Sequence, residues 1–349
     1  MAEFTLRQME PSDGPAINEL MRNEAQTTSM ALSTRYSVDL YEALIAQHPT
    51  AFGVVATSPG TDGLVGVATA YVDEVDVDGQ SYPAAHLENL KVRHDVRRQG
   101  LGGRLAAWRI AEARRRFGGE GIITTGIEVS NVGSLATARQ WSTQLLGPVR
   151  VVIAGVSRKA PRDNGIRVRP LEDADIPAVV DGVNDFFRGY DLYPRQTPGS
   201  LAAMLGPTSL GGPIRQYRVA VTGDGSIVAG AAVTERFQLM TDHIDHAPRP
   251  LELLSAILPL IPRDRTIRTI ELALAWHAPG QAAAGRALWE AIRYEWRDRA
   301  THVAGQADPR GSLIDMYHVG FSLIPRVNIM VPVQSPVPLD ESRPVYLWR

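Results

Sequence analysis

The pattern of hydrophobic and polar residues in the first half of the chain indicates strands before it indicates anything else. Residues 51–56 and 64–72 are apolar and rich in β-branched side chains. Pro59-Gly60 and Asp62-Gly63 stand between them, and such pairs favour tight turns. These two runs therefore predict a β-hairpin.

After this hairpin, the hydrophobic period alternates between the strand and helix values. Residues 86–92 read as a strand, residues 102–117 as a helix with apolar positions at helical spacing, and residues 122–129 as another strand. An antiparallel beginning followed by a strand-helix-strand unit predicts an α+β layer fold.

The second half repeats this order loosely. Strands are predicted at 219–221 and 227–233, on either side of the turn Gly223-Asp224-Gly225. A strand at 269–275 and a helix at 285–299 follow.

A short internal repeat supports a duplication. Residues 6–17 align without gaps on residues 168–179, with five identities in twelve positions. In both copies a short strand runs into a helix whose first turn carries an acid and a proline. We predict an N-terminal domain at 1–156, a polar linker at 157–165, a C-terminal domain at 166–335 and a tail at 336–349.

Composition limits the classes of function. The chain has 349 residues, of which 44% are hydrophobic and 21% charged, which suits a folded protein with two cores. Its formal net charge of −2 gives no reason to expect nucleic acid or an anionic membrane as partner. It contains no cysteine, which excludes disulfides, thiolate metal sites and an acyl-cysteine intermediate.

Several other features are interpreted as structural. The first residues have no apolar signal region, and the longest apolar run, 253–261, is short and contains Pro259, so we expect a cytoplasmic protein. His243 and His246 have no third ligand nearby and precede Ala247-Pro248, so we expect a loop and no metal. The arginines of 93–116 are scattered by helical spacing, so we expect no nucleic-acid partner. No oligomeric state is indicated.

The most informative segment joins the strand at 86–92 to the helix that follows it. It contains Arg97-x-x-Gly100-x-Gly102. Glycines let a ligand approach the backbone, and the amides at a helix N-terminus attract a diphosphate. A Walker loop is excluded because no Gly-Lys-Ser/Thr is present, and a dinucleotide fingerprint lacks its third glycine, since Leu105 stands there.

The segment resembles the cofactor loop of the GNAT (GCN5-related N-acetyltransferase) superfamily, which has this spacing after its fourth strand. The resemblance implies two tandem GNAT folds, each a mixed central sheet flanked by helices, and acetyl-CoA as cofactor. By similarity, the backbone of Leu90, Lys91 and Val92 would pair with the pantetheine arm. The diphosphate would lie in the loop formed by Arg97, Arg98, Gln99, Gly100, Leu101, Gly102 and Gly103, with Arg104 nearby.

Asn131 matches the position where the family often binds the pantetheine arm or the thiol region. The alternative is that Asn131 is simply the N-cap of the next helix. Both interpretations remain open at this stage.

His86 and Glu88 are the candidate general bases. They lie two apart on the predicted strand, hence on one face together with Leu90. Several family members place an acidic base on this strand. Alternatively, both side chains are satisfied by neighbouring hydrogen bonds. Since a thioester is already activated, a deprotonated amine can attack it directly.

The family pattern fails in two places. Many GNAT enzymes have a tyrosine that protonates the leaving thiolate, but the matching positions hold Ala138 or Thr143. In the second half, 316–321 resembles the family's Tyr-x-x-x-Gly-Phe ending, one residue short. Its cofactor loop is eroded, with Pro279, Ala282 and Ala284 at the positions of Arg97, Gly100 and Gly102, and Glu271 falls opposite Glu88 if one gap is allowed. We therefore expect a degenerate second domain.

Two functions follow. The first is an acetyl-CoA-dependent N-acyltransferase acting on a small-molecule amine. The second is an acyl-CoA binding or sensing protein that has lost its catalytic residues. In overall design the chain also resembles tandem acetyltransferases of actinomycete metabolism, such as mycothiol synthase and the tandem acetyltransferase of clavulanic acid biosynthesis, an antibiotic-related pathway.

Overall fold

The computed structural model describes residues 3–23, 26–27, 31–247, 261–317 and 327–347. Part of the predicted 316–321 motif and most of the apolar run 253–261 lie outside these ranges. The strands are β1 Thr5–Gln8, β2 Gln26–Thr27, β3 Ala31–Tyr36, β4 Phe52–Thr57, β5 Gly66–Val77, β6 Gln80–Val92, β7 Ile122–Thr124, β8 Ile127–Glu128, β9 Gln144–Gly155, β10 Arg167–Pro170, β11 Arg215–Val221, β12 Ile227–Thr234, β13 Met240–His246, β14 Thr266–Ile267, β15 Thr269–His277, β16 His302–Ala307 and β17 Val327–Gln334. The helices are α1 Gly14–Asn23, α2 Leu40–Gln47, α3 Leu101–Phe117, α4 Val132–Ala138, α5 Ile176–Phe187, α6 Pro198–Leu205 and α7 Ala282–Glu295.

The α+β prediction is confirmed: helices flank one large mixed sheet. Its strand order is β1-β4-β5-β6-β7-β17-β9-β16-β15-β12-β11-β10, and β8 also pairs with β17. Antiparallel hairpins form the outer parts, and the pairs β6–β7 and β15–β16 are parallel. The predicted strands and helices of both halves are present, with bounds that differ by a few residues.

The two halves exchange their last strands. Strand β17, late in the chain, lies between β7 and β9 of the first half. Strand β9, from the first half, pairs with β16 of the second half, with Gly155 opposite His302. Neither half therefore completes its own sheet, and the interior of the molecule is continuous across the predicted linker.

The repeated segment forms the same junction in both copies. Arg7 donates two hydrogen bonds to the Asp13 carboxylate at 2.5 and 2.7 Å, and Arg169 does the same to Asp175 at 2.5 and 2.9 Å. Each aspartate also accepts the backbone N–H three residues before it, at 2.8 Å. The matched bonds explain why arginine and aspartate recur in register.

A second, smaller sheet also joins the halves. Its order is β14-β13-β3-β2, and the β3–β13 pair places Thr34 opposite Asp242. His243 and His246 lie on β13, so the prediction of a loop there is wrong. The strand forms because β3, distant in sequence, supplies its hydrogen-bonding partner. Among the described residues no group of three potential metal ligands occurs.

Candidate active site

Strands β6 and β7 separate at the centre of the sheet. They pair from Ala84 to His86, opposite Ile122 to Thr124. Beyond this point, β7 ends while β6 continues to Val92. The Thr125 hydroxyl donates to the Leu87 carbonyl at 2.7 Å and marks the last contact before the opening. One edge of β6 therefore faces a cleft instead of a strand.

A β-bulge lies in the exposed part of β6. Thr69 is opposite Glu88 and Val67 is opposite Lys91, so β6 has one extra residue. Asn89 takes up the irregularity with φ +47°, and its side-chain amide donates to the Thr69 hydroxyl at 3.0 Å. Such bulges bend a strand and redirect the side chains that follow it.

The bulge corrects one prediction about this strand. His86 and Glu88 precede the irregularity, and the register places them opposite Tyr71 and Thr69, so they share a face. Leu90 follows it and packs instead with the core beneath α3, 3.9 Å from the position of a Cβ on Gly102. The expected alternation of side chains between the two faces of β6 fails at Leu90, because the extra residue of the bulge shifts the alternation by one position.

Arg109 of α3 holds the backbone of the bulge in place. Its guanidinium is 3% exposed and donates through one nitrogen to the carbonyls of Thr69, at 2.9 Å, and Glu88, at 2.7 Å. Burial lowers the pKa of Arg109 to about 9, although the negative charge of Glu88 acts to raise it. The sequence held a signal for this residue, because Arg109 occupies the apolar stripe of α3 defined by Leu101, Leu105 and Ala113.

The predicted diphosphate loop is exposed and begins a helix. Arg98 and Gly100 have φ values of +61° and +83°, and α3 starts at Leu101. The first hydrogen bond of this turn runs from Arg104 N–H to the Gly100 carbonyl at 3.2 Å. The amides of residues 101–103 consequently lack acceptors within the helix and form an anion-binding end.

The side chains of this loop bond to the chain itself. Arg97 Nε donates to the Val92 carbonyl at 3.0 Å, and the Gln99 amide to the Asp95 carbonyl at 3.4 Å. Arg104 donates to the carbonyl of Phe4 at 2.9 Å, which directs it toward the beginning of β1. These bonds hold the loop in shape, together with the bond from the Arg97 N–H to the His94 carbonyl at 3.4 Å.

A cavity of about 1120 Å³ lies beside β6. Of the residues predicted from the sequence, five line it: His86, Glu88, Leu90, Lys91 and Asn131. Val92 and residues 97–104 do not, and residues 97–100 lie at the exposed surface. The cavity is also lined by residues of the second half and by the tail residues 345–347.

The two candidate bases differ in accessibility. His86 is 3% exposed, and its ring lies 5.5 Å from that of Tyr71, which stacks on His48 at 3.7 Å. Glu88 is partly exposed on the cavity wall. Glu88 is therefore the more accessible of the two candidates.

The neighbouring His48 has a lowered pKa. Loss of hydration, and then the charge of Arg215, lower the pKa of His48 to about 3.

Residues on and after α4 show how the family's other positions are used. Asn131 is the N-cap of this helix, and its side-chain oxygen accepts the Ser134 N–H at 3.1 Å. Ala138 ends the helix and lines the cavity. The Thr143 hydroxyl donates to the Val333 carbonyl at 3.2 Å, so it is engaged in strand contacts.

The equivalent segment of the second half is shorter, not merely altered. Eight residues, 93–100, connect β6 to α3, whereas four, 278–281, connect β15 to α7. Leu274, with φ +47°, takes the place of Asn89 in a matching bulge. Glu271 pairs with Ala304 as His86 pairs with Thr124. Glu271 is therefore the counterpart of His86, and its predicted alignment with Glu88 is wrong because a gap was placed in the strand.

Comparison with known proteins agrees with this geometry. Residues 17–141 match the profile of the acetyltransferase (GNAT) family. No curated protein matches the sequence.

Three solved structures share the fold over nearly the whole chain. Saccharomyces cerevisiae N-myristoyltransferase with bound myristoyl-CoA has 11% identity and a TM-score of 0.63 over 95% of this chain and 83% of its own. A GCN5-related N-acetyltransferase from Sphaerobacter thermophilus has 17% identity and a TM-score of 0.58 over 97% of both chains. A probable N-acyltransferase from Enterococcus faecalis V583 has 9% identity and a TM-score of 0.50 over 96% and 73%.

The match of the family profile covers the strand, bulge, loop and helix described above. These likenesses show the fold, and the family domain supplies the class of reaction. The match to the GNAT acetyltransferase family lies within residues 17–141, and the protein is an acyltransferase.

Proposed function

We propose that the protein transfers an acyl group, with acetyl-CoA as the expected donor, to the amine of a small molecule. One observation carries this proposal: the free edge of β6 leads directly into a glycine loop with exposed amides at the start of α3. The edge suits an extended pantetheine arm, and the loop suits a diphosphate. These two features lie in the order in which they occur in coenzyme A.

In the proposed complex, the backbone of Leu90, Lys91 and Val92 pairs with pantetheine. The amides of 97–103 bind the diphosphate, and Asn131 stays an N-cap beside the arm. The thioester then lies near the bulge, whose geometry Arg109 maintains. This arrangement places the acyl carbon next to the Glu88 face of the cavity.

The reaction is a direct transfer. Glu88, or His86 behind it, removes a proton from the acceptor ammonium, and the neutral nitrogen attacks the thioester carbon. Amides at the bulge stabilise the negative oxygen, the attached nitrogen loses its second proton to water, the C–S bond breaks, and the CoA thiolate takes up a proton. The donor of that proton is water in this scheme, because Ala138 and Thr143 supply no acid.

The alternative function is an acyl-CoA binding or sensing protein with weak or no catalysis. Ala138, at the position of the family's tyrosine, favours this alternative.

A cytoplasmic location and a role in secondary metabolism, including antibiotic biosynthesis, are further parts of the proposal. None of the described helices is both long and apolar enough to cross a bilayer.

The test replaces the candidate bases and measures acyl-CoA binding and CoA release separately. We expect Glu88→Gln to lower kcat by about a hundredfold or more and to leave acyl-CoA affinity nearly unchanged. His86→Gln should have the smaller effect, since His86 is the less accessible. Glu112→Gln, which removes the ion pairs of Glu112 with Arg115 and Arg116 outside the cavity, is the matched control.

Each result has a distinct meaning. Tight acyl-CoA binding without turnover of any amine would select the sensing function. Absence of acyl-CoA binding would overturn both functions. Loss of activity in the Glu112 variant as well would indicate a general structural effect.

A further inference from the structure

The second half contributes a charged group to the cavity wall. Arg236 follows β12, Asp242 lies on β13 and Glu271 lies on β15, and all three line the cavity. We refer to these three residues as the Glu271 cluster. Arg236 and Asp242 are six residues apart in the chain, and Glu271 meets them because β15 pairs with β12, where Thr234 lies opposite Glu271.

Two members of the cluster form a fixed frame. Arg236 Nη1 donates to Asp242 Oδ2 at 3.0 Å. The Thr34 hydroxyl donates to the other oxygen, Oδ1, at 2.9 Å. Both carboxylate oxygens of Asp242 are therefore occupied, and its role is to hold the guanidinium in place.

Glu271 is bonded less completely. Its Oε1 lies 3.5 Å from Arg236 Nε, longer than the distance of about 2.9 Å preferred for such a bond. Among the described residues, it has no shorter ionic contact, and its side chain is 29% exposed. The carboxylate thus keeps hydrogen-bonding capacity on the side that faces the cavity.

The carboxylates of the cluster stabilise nearby cations. Burial lowers the pKa of Arg236, yet Glu271 and Asp242 raise it by more, so the net shift is upward. Burial also lowers the pKa of Arg215, which donates to the Gln47 carbonyl at 3.0 Å, and Glu271 acts against that shift. Glu271 therefore attracts cations on two sides, while its closest ion pair, with Arg236, is 3.5 Å long.

An apolar surface connects the cluster with β6. The exchanged strands β9 and β17 lie between the two halves, and alternate residues of each face the cavity. These residues are all β-branched and apolar: Val149, Val151, Ile153, Val327 and Ile329. A ligand that crosses from β6 to Glu271 therefore meets hydrocarbon along its middle.

We propose that the Glu271 cluster binds a positively charged group at the far end of the acceptor, so that the acceptor is an amine with an apolar body and a second cationic nitrogen. This inference rests on the proposed function, since one nitrogen attacks the acyl group near Glu88 while the other is held at Glu271. An α,ω-diamine has the required chemistry. The charge is bound at the Glu271 carboxylate, which keeps hydrogen-bonding capacity, and the methylene chain covers β9 and β17.

The experiment compares α,ω-diamines, from butanediamine to dodecanediamine, with monoamines of the same chain length. In the wild-type protein we expect the KM of the best diamine to be at least about tenfold below that of its monoamine. Glu271→Gln should raise the diamine KM by about tenfold or more and leave the monoamine KM and acyl-CoA affinity unchanged. Glu290→Gln, which removes a surface ion pair of α7 with Arg293, is the matched control.

Two results would overturn the proposal. Equal KM values for diamines and monoamines in the wild type would show that no second cation is recognised, without reference to any variant. An equal rise for both amine classes in Glu271→Gln would show a structural role instead of recognition.

Failure of the proposed function is separable from failure of this inference. If no amine is acylated, calorimetric titration of decanediamine into the protein, with and without acyl-CoA, measures the same interaction. Binding that weakens about tenfold in Glu271→Gln would support the cluster as a cation site. Equal binding by wild type and variant, or no binding, would overturn it.

Discussion

The β6–α3 segment of the first half and the β15–α7 segment of the second start from the same strand-bulge-helix arrangement and end in different surfaces. Both bulges place one residue at φ +47°, Asn89 and Leu274. The first leads through eight residues to a helix with exposed amides, and the second through only four. The cofactor surface thus depends on loop length as much as on glycines.

The second bulge is also occupied by the chain itself. The Leu274 N–H donates to the hydroxyl of Tyr346, in the tail, at 3.2 Å. Tyr317 covers the adjacent β16, where a Cβ on Gly305 would lie 2.6 Å from its ring. The comparison teaches that one half keeps an open strand edge while the other fills the corresponding space with aromatic side chains.

The largest expected effect comes from separating the halves. A fragment of residues 1–156 would lose the β7–β17, β9–β17 and β9–β16 pairings and expose unpaired edges. We expect it to aggregate or remain unfolded, and we expect co-production with residues 157–349 to restore a soluble complex. Size-exclusion chromatography and circular dichroism measure both. A folded, monomeric fragment would contradict the interdependence of the halves.

The next effect compares two glycines that precede α3 and α7 and have positive φ. Gly100 and Gly280 have φ values of +83° and +73°, and neither has an atom within 4 Å of an added Cβ. Valine at either position should cost about 1–2 kcal/mol of unfolding free energy through backbone strain. Only Gly100→Val should also weaken acyl-CoA binding, by about tenfold or more. Denaturant unfolding and calorimetry separate the two quantities.

This pair of variants tests the asymmetry directly. Similar acyl-CoA affinities for Gly100→Val and wild type would remove the loop from the cofactor site. A loss of affinity in Gly280→Val would assign a cofactor role to the second half.

The last expected effect appears only when the pH changes and concerns two histidines with lowered pKa values. His48 has a pKa of about 3 against an ordinary 6.5, and burial also lowers the pKa of His302. Because the unfolded chain binds these protons first, stability is lost as pH falls below 6.5. Between pH 7 and pH 5, His48 should account for about 2 kcal/mol of that loss.

Urea unfolding at both pH values checks this assignment. His48→Phe keeps a ring against Tyr71 and should remove most of the His48 contribution. His302→Phe is the counterpart in the second half and should remove less. An unchanged pH dependence in His48→Phe would mean that the imidazole is hydrated in solution.

Local features of this protein were predictable from the sequence because they depend on nearby residues. The glycine loop before α3, the acid and proline at the two repeated junctions, and the α+β order of elements all reflect short-range sterics and hydrogen bonds. The placement of His86 and Glu88 on one face also followed from strand geometry. These features sufficed to indicate the resemblance to the GNAT superfamily, which the family profile supports over residues 17–141.

Only the tertiary structure decided how the halves combine. Strand exchange between β9 and β17, the pairing of β3 with β13, and the meeting of Arg236 with Glu271 join residues far apart in the chain. The bulge at Asn89 likewise depends on a neighbouring strand and on Arg109 beneath it. Pairing of distant strands is selected by the packing of the whole core, which no local pattern encodes.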